Sequence, residues 1–434
     1  MRIAVVALGK IGLPLAVQFA SAGHEVVGVD VNSRTVAAIN NLAATYPLEA
    51  GLDELLEAVV SQGRLRATTS FADAVPHAEV VVVVVPLVVD EATGEPDFAL
   101  MEAATVQIAA NLTPGTMVIY ETTLPVGTTR NRWKPLLESG SGLVEGDDFL
   151  VAYSPERVFS GRIFQDLRRY PKLVGGLSDA GAARARAFYE AVLQFDERPD
   201  LARPNGVWDL GSAEAAEMAK LAETTYRDVN IGLANQFAVF AAASGIDVHR
   251  VIEACNSQVY SHIHQPGIAV GGHCIPVYPR LYLSTDPQAT IVRIAREYNQ
   301  TMPDRMVAQA DELLGSLQGL RAIVLGASYR GGVKETAFSG VFATASALES
   351  RGAVVRVHDP LFTDEELRDL GLEPAALGET VDVAVVQTDH ADYRSLAPEH
   401  LPGIRLLVDG RNITDPAVWA GTPRIAIGTA APAR

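Results

Sequence analysis

The chain has 434 residues, of which 48% are hydrophobic and 20% charged, so it is globular and long enough for two or three domains. Its formal net charge of −17 argues against a partner such as nucleic acid or an anionic membrane, either of which needs a basic face. Two cysteines provide no disulfide framework and the chain starts as a strand rather than a basic leader, so we expect a cytoplasmic protein.

The first 195 residues alternate between buried strands and helices. Residues 2–7 predict a strand, 11–22 a helix and 25–30 a second strand, which together make a β-α-β unit. Further strands rich in β-branched or apolar residues are predicted at 80–85, 117–120 and 149–152. This pattern is typical of a parallel sheet covered on both faces, as in a doubly wound domain.

A long helix is predicted after the Pro- and Gly-containing segment 202–206. Residues 212–244 contain no proline and are dense in alanine, glutamate and leucine, which predicts one helix of about 50 Å. A helix that is apolar on several sides needs neighbours all round, so it is a candidate domain connector and homodimer interface. The alternative is two shorter helices broken at Gly232.

The α/β pattern restarts after about residue 318. Strands are predicted at 320–325, 354–358, 381–387 and 406–408, with a helix at 339–351. The predicted fold class is therefore α/β, with two doubly wound Rossmann-like domains joined by a long central helix. The small, polar tail at 428–434 is expected to be disordered.

The loop after the first strand has the composition of a dinucleotide-binding turn. Gly9 and Gly12 stand where a pyrophosphate turn and close helix–strand packing require glycine, although Ala7 replaces the usual first glycine. Asp30 ends the second strand, where a carboxylate binds ribose hydroxyls and repels a 2′-phosphate, so the predicted cofactor is NAD. Arg34 weakens that preference slightly. The alternative is a Rossmann-type sheet that has lost its cofactor.

Cys274 lies in the sequence Gly-Gly-His-Cys-Ile-Pro at 271–276. The glycines allow a substrate carbonyl to approach the sulfur, and the adjacent histidine can help to activate or orient a nucleophilic thiol. The alternative is a cysteine that only packs in a tight turn.

Six separated motifs together resemble the nucleotide-sugar 6-dehydrogenase family, which includes UDP-glucose, GDP-mannose and UDP-N-acetylhexosamine dehydrogenases. The motifs occupy residues 8–14, 122–128, 154–157, 220–231, 271–276 and 409–412. The sequence of residues 155–162 is more similar to the branch that oxidises UDP-N-acetylhexosamines than to the UDP-glucose branch.

The resemblance implies an NAD-binding domain at 1–203, a central dimerisation domain carrying the cysteine loop at 204–314, and a UDP-sugar-binding domain at 315–434. It also implies a homodimer formed through the central helix. The implied reaction is a four-electron oxidation of carbon six, from alcohol through aldehyde to acid, with a thiohemiacetal and then a thioester on Cys274.

The resemblance also assigns roles to individual residues. Lys220 matches a lysine that stabilises oxyanions, Glu156 a carboxylate that manages protons, and Thr123 a hydroxyl that positions water. Arg411 matches an arginine that binds the nucleotide sugar. The alternatives are a solvated helix lysine, a salt bridge between Glu156 and Arg157, and a surface arginine. The remaining candidates for cofactor binding are Lys10, Ile11, Arg34 and Pro86, and those for substrate binding are Arg157, His264 and Gly271.

Several positions depart from the family pattern. Tyr278 stands in place of an aspartate, and Thr224, retained as a candidate catalytic residue, in place of an asparagine. Leu87, Ala337 and Tyr260 replace a threonine and two arginines. We expect a divergent active enzyme, with a two-electron dehydrogenase that stops at the aldehyde and a catalytically silent dinucleotide-binding protein as alternatives.

No metal site is predicted. His262 and His264 have a suggestive spacing, but no third ligand is evident in the sequence.

Overall fold

The computed structural model of the chain describes residues 1–43, 49–90, 93–159 and 161–430. It divides into two compact units, Met1–Ala222 and Glu223–Arg434.

The first unit is built on an eight-stranded sheet. Its strands are β1 (Arg2–Val6), β2 (Glu25–Val29), β3 (Leu65–Thr68), β4 (Val80–Val83), β7 (Met117–Tyr120), β8 (Leu150–Tyr153), β9 (Lys172–Gly176) and β10 (Val207–Asp209), and a separate hairpin pairs β5 (Val88–Val89) with β6 (Pro96–Asp97). The strand order is β10-β9-β8-β7-β4-β1-β2-β3. Neighbouring strands are parallel except β8 and β9, which are antiparallel.

Eight α-helices belong to the described part of this unit before the long central helix. They are α1 (Gly12–Ser21), α2 (Ser33–Asn40), α3 (Leu52–Ser61), α4 (Phe71–Ala74), α5 (Ala99–Ala110), α6 (Lys134–Ser141), α7 (Ile163–Arg169) and α8 (Asp179–Val192). Alternate strand residues enter two separate cores: Val5 and Val82 pack in one, and Val6 and Val83 in the other. The sheet is therefore covered on both faces, as its continuous apolar strands predicted.

The central helix α9 (Ala213–Ala243) is continuous over 31 residues, which confirms the prediction of one long helix. The alternative of a break at Gly232 is wrong. A Cβ on Gly232 would lie 3.2 Å from the Cβ and carbonyl oxygen of Ala295, so the glycine allows α9 to pack closely on Ala295.

The second unit has a five-stranded parallel sheet in the order β12-β11-β13-β14-β15. Its strands are β11 (Arg321–Leu325), β12 (Val354–His358), β13 (Val383–Val386), β14 (Leu406–Asp409) and β15 (Arg424–Ala426), and its other helices are α10 (Val248–Asn256), α11 (Tyr278–Thr285), α12 (Thr290–Leu314), α13 (Gly340–Glu349) and α14 (Asp364–Asp369). Val324 and Val385 pack on one face of the sheet, and Ile323 and Ala384 on the other. The predicted α/β class with two Rossmann-like domains is confirmed.

The predicted disorder of the tail is wrong where the structure describes it. The carbonyl oxygen of Gly428 accepts the backbone N–H of Val248 at 2.9 Å. Residues 431–434 of that prediction lie outside the described residues.

Among the described helices, none combines the length and the apolar character that a bilayer span requires.

Candidate active site

The candidate cofactor residues of the first unit lie at one edge of its sheet. Strands β7, β4, β1 and β2 are neighbours and parallel, so the segments after their carboxyl ends are brought together. Those segments carry Thr123, Pro86, the glycine loop and Asp30 respectively. The order in which the strands follow one another in the chain reverses between β1 and β4, and open α/β proteins bind ligands at the carboxyl edge beside such a switch point.

The glycine loop has the geometry that a pyrophosphate needs. A Cβ on Gly12 would lie 1.9 Å from the carbonyl oxygen of Ala7, so only glycine permits α1 to start this close to β1. No atom lies within 4 Å of a Cβ built on Gly9, which leaves open space beside the backbone. Ala7 has φ +74°, so the alanine keeps the left-handed conformation of the glycine usually found there.

Asp30 is fixed beside this loop by two backbone hydrogen bonds. Leu8 donates its N–H to Oδ2 and Asn32 donates to Oδ1, both at 2.8 Å. Each carboxylate oxygen keeps a second lone pair with which it can accept a hydrogen bond from a ribose hydroxyl. Together with the open backbone at Gly9, this arrangement fits an NAD molecule.

The other cofactor candidates surround the loop in the chain. Ile11 immediately precedes α1, and Lys10 before it is exposed. Arg34 is exposed on α2, and Pro86 is exposed in the segment that follows β4.

The threonine-rich segment 122–128 is fastened to the start of α9 by a buried carboxylate. Glu217 accepts the backbone N–H of Gly127 at 2.6 Å, and the N–H and hydroxyl of Thr129 at 2.9 and 2.6 Å. Burial raises the pKa of Glu217 to about 7 in spite of these bonds. Glu217 lies one helical turn before Lys220 on α9. Its hydrogen bonds therefore hold the segment that contains Thr123 against the part of α9 that carries this lysine.

Lys220 and Thr123 are both buried, with 8% and 6% of their surfaces exposed. A buried lysine does not fit the alternative of a solvated helix charge. Thr224 follows one turn later on α9 and is also buried.

Glu156 belongs to a buried charge cluster that sequence reasoning missed. Lys172 places its Nζ 2.8 Å from Oε2 of Glu156 and 2.8 Å from Oε2 of Glu121. Tyr189 donates its hydroxyl to Oε1 of Glu121 at 2.6 Å. Among the described contacts the cation paired with Glu156 is Lys172, in addition to which Arg157 donates its backbone N–H to this carboxylate.

The cluster gives its two carboxylates different proton affinities. Burial raises the pKa of Glu121 to about 7, although Lys172 acts in the opposite direction. Burial would also raise the pKa of Glu156, but the Lys172 ammonium, the N–H of Arg157 and the charge of Lys220 outweigh it and hold this pKa below its usual value. Glu156 is therefore ionised at neutral pH and able to accept a proton.

In the second unit, Cys274 is a free and exposed thiol on the predicted glycine loop. Gly272 has φ +93° and donates its N–H to the carbonyl oxygen of Ala337 at 2.8 Å. A Cβ on Gly271 would lie 2.7 Å from the Cβ of Tyr329, so the loop packs closely on that residue. His273 places Nε2 3.5 Å from Oε2 of Glu335. The exposed sulfur does not fit the alternative of a packing cysteine.

Arg411 is held close to the segment that leads to this loop. Its Nε donates to the carbonyl oxygen of Gln387 at 2.7 Å, and Ile268 donates its N–H to the neighbouring Gly410 at 2.9 Å. Burial lowers the pKa of Arg411, against the effect of Asp389 and Asp409. A half-buried arginine fixed through Nε does not fit the alternative of a surface side chain.

His264 is half-buried in the same unit. It donates its backbone N–H to Oδ1 of Asn230 at 2.8 Å, and its ring lies edge-on to Tyr226 with centroids 5.9 Å apart. Burial lowers the pKa of His264, so the imidazole is neutral at pH 7. In the first unit, Arg157 donates through Nη1 to the carbonyl oxygen of Pro171 at 3.3 Å.

The positions that depart from the family pattern have clear locations. Tyr278 begins α11 and donates its N–H to the carbonyl oxygen of Cys274 at 2.9 Å. Leu87 is half-buried against the core beneath β4, and Tyr260 is 91% exposed. Within the described ranges, no three His, Cys, Asp or Glu side chains gather as a metal site requires.

Models of three domains of one family match this chain. They are the UDP-glucose/GDP-mannose dehydrogenase NAD binding domain at 1–193, the central domain at 214–301 and the UDP binding domain at 323–416. The chain therefore belongs to the UDP-glucose/GDP-mannose dehydrogenase family. This membership confirms the prediction of an NAD-dependent nucleotide-sugar dehydrogenase.

Individual relatives cover almost the whole chain. A UDP-N-acetyl-D-mannosamine dehydrogenase from Pyrococcus horikoshii is 37% identical over 95% of this chain and 96% of its own. An NDP-N-acetyl-D-galactosaminuronic acid dehydrogenase from Ralstonia solanacearum is 32% identical, with the same shares covered. The solved structure of a UDP-D-ManNAc dehydrogenase from P. horikoshii has a TM-score of 0.86 at 34% identity and covers 99% of both chains.

Proposed function

We propose that this chain oxidises carbon six of a UDP-N-acetylhexosamine to the uronic acid, with two molecules of NAD consumed per sugar. The observation that carries the proposal is the exposed thiol of Cys274 on a loop fixed by two glycines. The names of the similar proteins and the sequence of residues 155–162 favour an N-acetylhexosamine as the sugar.

NAD, when bound, supplies the hydride acceptor. The glycine loop with Gly9, Lys10, Ile11 and Gly12 would hold its pyrophosphate, and Asp30 its adenosine ribose, near Arg34. Pro86 and Thr123 would line the same edge of the sheet, because they follow β4 and β7.

Lys220 would act on the oxygen at carbon six. An ammonium group stabilises the alkoxide that develops when the alcohol is oxidised, and the oxyanion of each tetrahedral species that follows. Thr224, one turn further along α9, would assist from the position where the family has an asparagine.

Cys274 would form the covalent intermediate. Its sulfur adds to the aldehyde to give a thiohemiacetal, and loss of a hydride and the hydroxyl proton from that adduct leaves a thioester. The glycines at 271 and 272 allow the loop that carries the sulfur to pack closely on Tyr329.

Glu156 would complete the reaction by activating water. Its lowered pKa keeps it ionised, so it can accept a proton as water attacks the thioester, with Thr123 positioning that water. The products are the carboxylic acid and the regenerated thiol, which a reducing compartment such as the cytoplasm maintains. Arg157, His264, Gly271 and Arg411 would bind the sugar nucleotide, with Arg411 at an anionic or carbonyl group.

The domain roles follow the proposed chemistry. Residues 1–203 would bind NAD, 204–314 would carry the cysteine loop and the dimer contact, and 315–434 would bind the UDP group, although β10 at 207–209 still pairs with the first sheet.

Four large side chains on one face of α9 are exposed and support a homodimer through this helix: Tyr226, Leu233, Phe237 and Phe240. Light scattering of a Phe240→Lys variant tests that contact, since a monomer is expected if the face is buried between two copies.

A substrate panel tests the proposed sugar. UDP-N-acetylmannosamine, UDP-N-acetylglucosamine, UDP-N-acetylgalactosamine, UDP-glucose and GDP-mannose are each incubated with enzyme and NAD, and NADH absorbance is followed. We expect the highest kcat/KM with a UDP-N-acetylhexosamine. Exclusive turnover of UDP-glucose or GDP-mannose would overturn the choice of sugar, and no turnover of any would overturn the proposal.

One observation favours a second candidate, a two-electron dehydrogenase that releases the aldehyde. Tyr278 replaces the aspartate expected beside the thioester, and it begins a helix rather than offering a carboxylate. Introducing Tyr278→Asp distinguishes the two candidates, because faster release of acid is expected only if the hydrolysis step exists.

A further inference from the structure

We propose that Lys172 and Glu121 are positioning residues for Glu156: the buried ammonium orients this carboxylate and keeps it ionised, while Glu121 balances the ammonium from behind. The inference rests on the role of Glu156 proposed above and extends it to two residues that do not face the substrate in that scheme. Its support is the set of hydrogen bonds and the burial of the three side chains.

The fold explains why these residues meet. Glu121 follows β7 and Glu156 follows β8, so both lie at the carboxyl edge of the parallel part of the sheet. Strand β9 runs antiparallel to β8, with Tyr153 opposite Gly175. Continuing this register beyond Tyr153 sets Glu156 opposite Lys172, the first residue of β9. The one antiparallel pairing in the sheet therefore brings a lysine to the catalytic edge.

The contacts hold Glu156 in one orientation. Lys172 donates to Oε2 of Glu156 at 2.8 Å, and the backbone N–H of Arg157 donates to Oε1 at 2.7 Å. Both carboxylate oxygens are thus fixed, and each keeps a lone pair available for a proton. The side chain of Glu156 is 11% exposed, whereas those of Lys172 and Glu121 are 4% and 0% exposed.

The buried ammonium of Lys172 needs Glu121 as a second charged partner besides Glu156. A fully buried ammonium is costly unless it is paired and hydrogen-bonded. Lys172 satisfies this requirement through Glu121, Glu156 and the face of Tyr189, whose ring centroid lies 4.8 Å from Nζ. The two carboxylates raise the pKa of Lys172 against the effect of burial, so the ammonium persists at neutral pH.

The pairing also separates the proton affinities of the two carboxylates. With the pKa of Glu121 raised to about 7 and that of Glu156 lowered, an added proton goes to Glu121 first. Glu156 then remains ionised as the pH falls. Removing the ammonium takes away the interaction that lowers the pKa of Glu156. The fall of kcat on the acidic side of the pH profile, called the acidic limb below, must therefore occur at higher pH.

The experiment measures kcat and KM from about pH 5 to about pH 9 in wild type and in Lys172→Met, Lys172→Arg, Glu121→Gln and Glu156→Gln. Methionine keeps most of the lysine volume without the charge, and arginine keeps the charge. Lys134→Met is the matched control, because Lys134 is a lysine of the same unit on α6 that pairs with Glu138.

We expect Lys172→Met to move the acidic limb of kcat up by about one pH unit or more, which slows turnover about tenfold below that limb. KM should change little. Lys172→Arg should restore the wild-type limb, and Glu121→Gln should leave it in place or move it to lower pH. Lys134→Met should behave as wild type.

Equal losses of kcat in Lys172→Met and Lys172→Arg without a shift of the limb would overturn the inference, because they indicate packing alone. If Glu156→Gln keeps wild-type turnover, the proposed role of Glu156 fails instead. Should Lys172→Met not fold, the Lys172→Met/Glu121→Gln variant leaves Glu156 as the only charge of the three. The same upward shift is expected of that variant, and an unchanged limb would contradict the inference.

Discussion

The two glycines of the nucleotide loop should respond to alanine in opposite ways. In Gly12→Ala the new Cβ would lie 1.9 Å from the carbonyl oxygen of Ala7, whereas ordinary contact starts at 3.4 Å, so backbone must move by about 1.5 Å. The carbonyl belongs to a residue whose N–H is bonded to Val29 at 2.8 Å, which resists that movement. Overpacking of this kind costs about 1–3 kcal/mol.

Gly9→Ala is the matched control for folding. Nothing lies within 4 Å of its new methyl group, and Gly9 does not have a positive φ. We therefore expect a change in unfolding free energy of less than about 0.5 kcal/mol. The methyl would instead occupy the space through which the pyrophosphate approaches the backbone, so NAD affinity should fall at least about tenfold, or ~1.4 kcal/mol.

Thermal unfolding without cofactor and NAD titration by calorimetry measure both effects. For Gly12→Ala the Tm should fall by about 2–4 °C for each kcal/mol lost, as is typical of a domain of this size. The reasoning is refuted if Gly9→Ala binds NAD as tightly as wild type, or if Gly12→Ala unfolds at the wild-type temperature.

Three further substitutions test the proposed chemistry. Cys274→Ala should abolish acid formation, because no thioester can form, and full acid production measured by chromatography would contradict the covalent route. Lys220→Ala should raise the activation barrier by about 3–4 kcal/mol and so lower kcat, with a smaller change in the affinity for the sugar nucleotide. Steady-state rates equal to those of wild type would contradict the proposed role of Lys220 in stabilising the oxyanion. Asp30→Ala should weaken NAD and narrow its advantage over NADP, and an unchanged ratio of the two kcat/KM values would place the selection elsewhere.

The sequence predicts the strands where β-branched or apolar residues are concentrated. The prediction at 117–120 coincides with β7, and that at 354–358 with β12, because β-branched residues bounded by polar ones leave little choice. The strand predicted at 320–325, the first in the chain to belong to the second sheet, coincides with β11 to within one residue. By contrast, β9 and β15 are short and rich in glycine or flanked by loops, so their pairing depends on the rest of the sheet.

The candidate site was only partly predictable. Cys274 and Lys220 stand in recognisable motifs, and the structure gives each a location consistent with a functional role, although that role stays a prediction. Lys172 carried no local signal, because its importance depends on an antiparallel register that a single sequence does not reveal. Glu121 directly precedes the threonine motif, so a carboxylate at the end of a buried strand was the signal that could have identified it.

The number of NADH molecules formed per sugar, measured together with the intact mass of the enzyme during turnover, tests the central claim most directly. Two NADH per sugar and a sugar acyl adduct that is absent from Cys274→Ala are expected if a thioester on Cys274 is hydrolysed with the help of Glu156. Slow hydrolysis is favoured by Tyr278 in place of the aspartate, which makes the adduct easier to observe. One NADH per sugar with free aldehyde released would contradict the four-electron account.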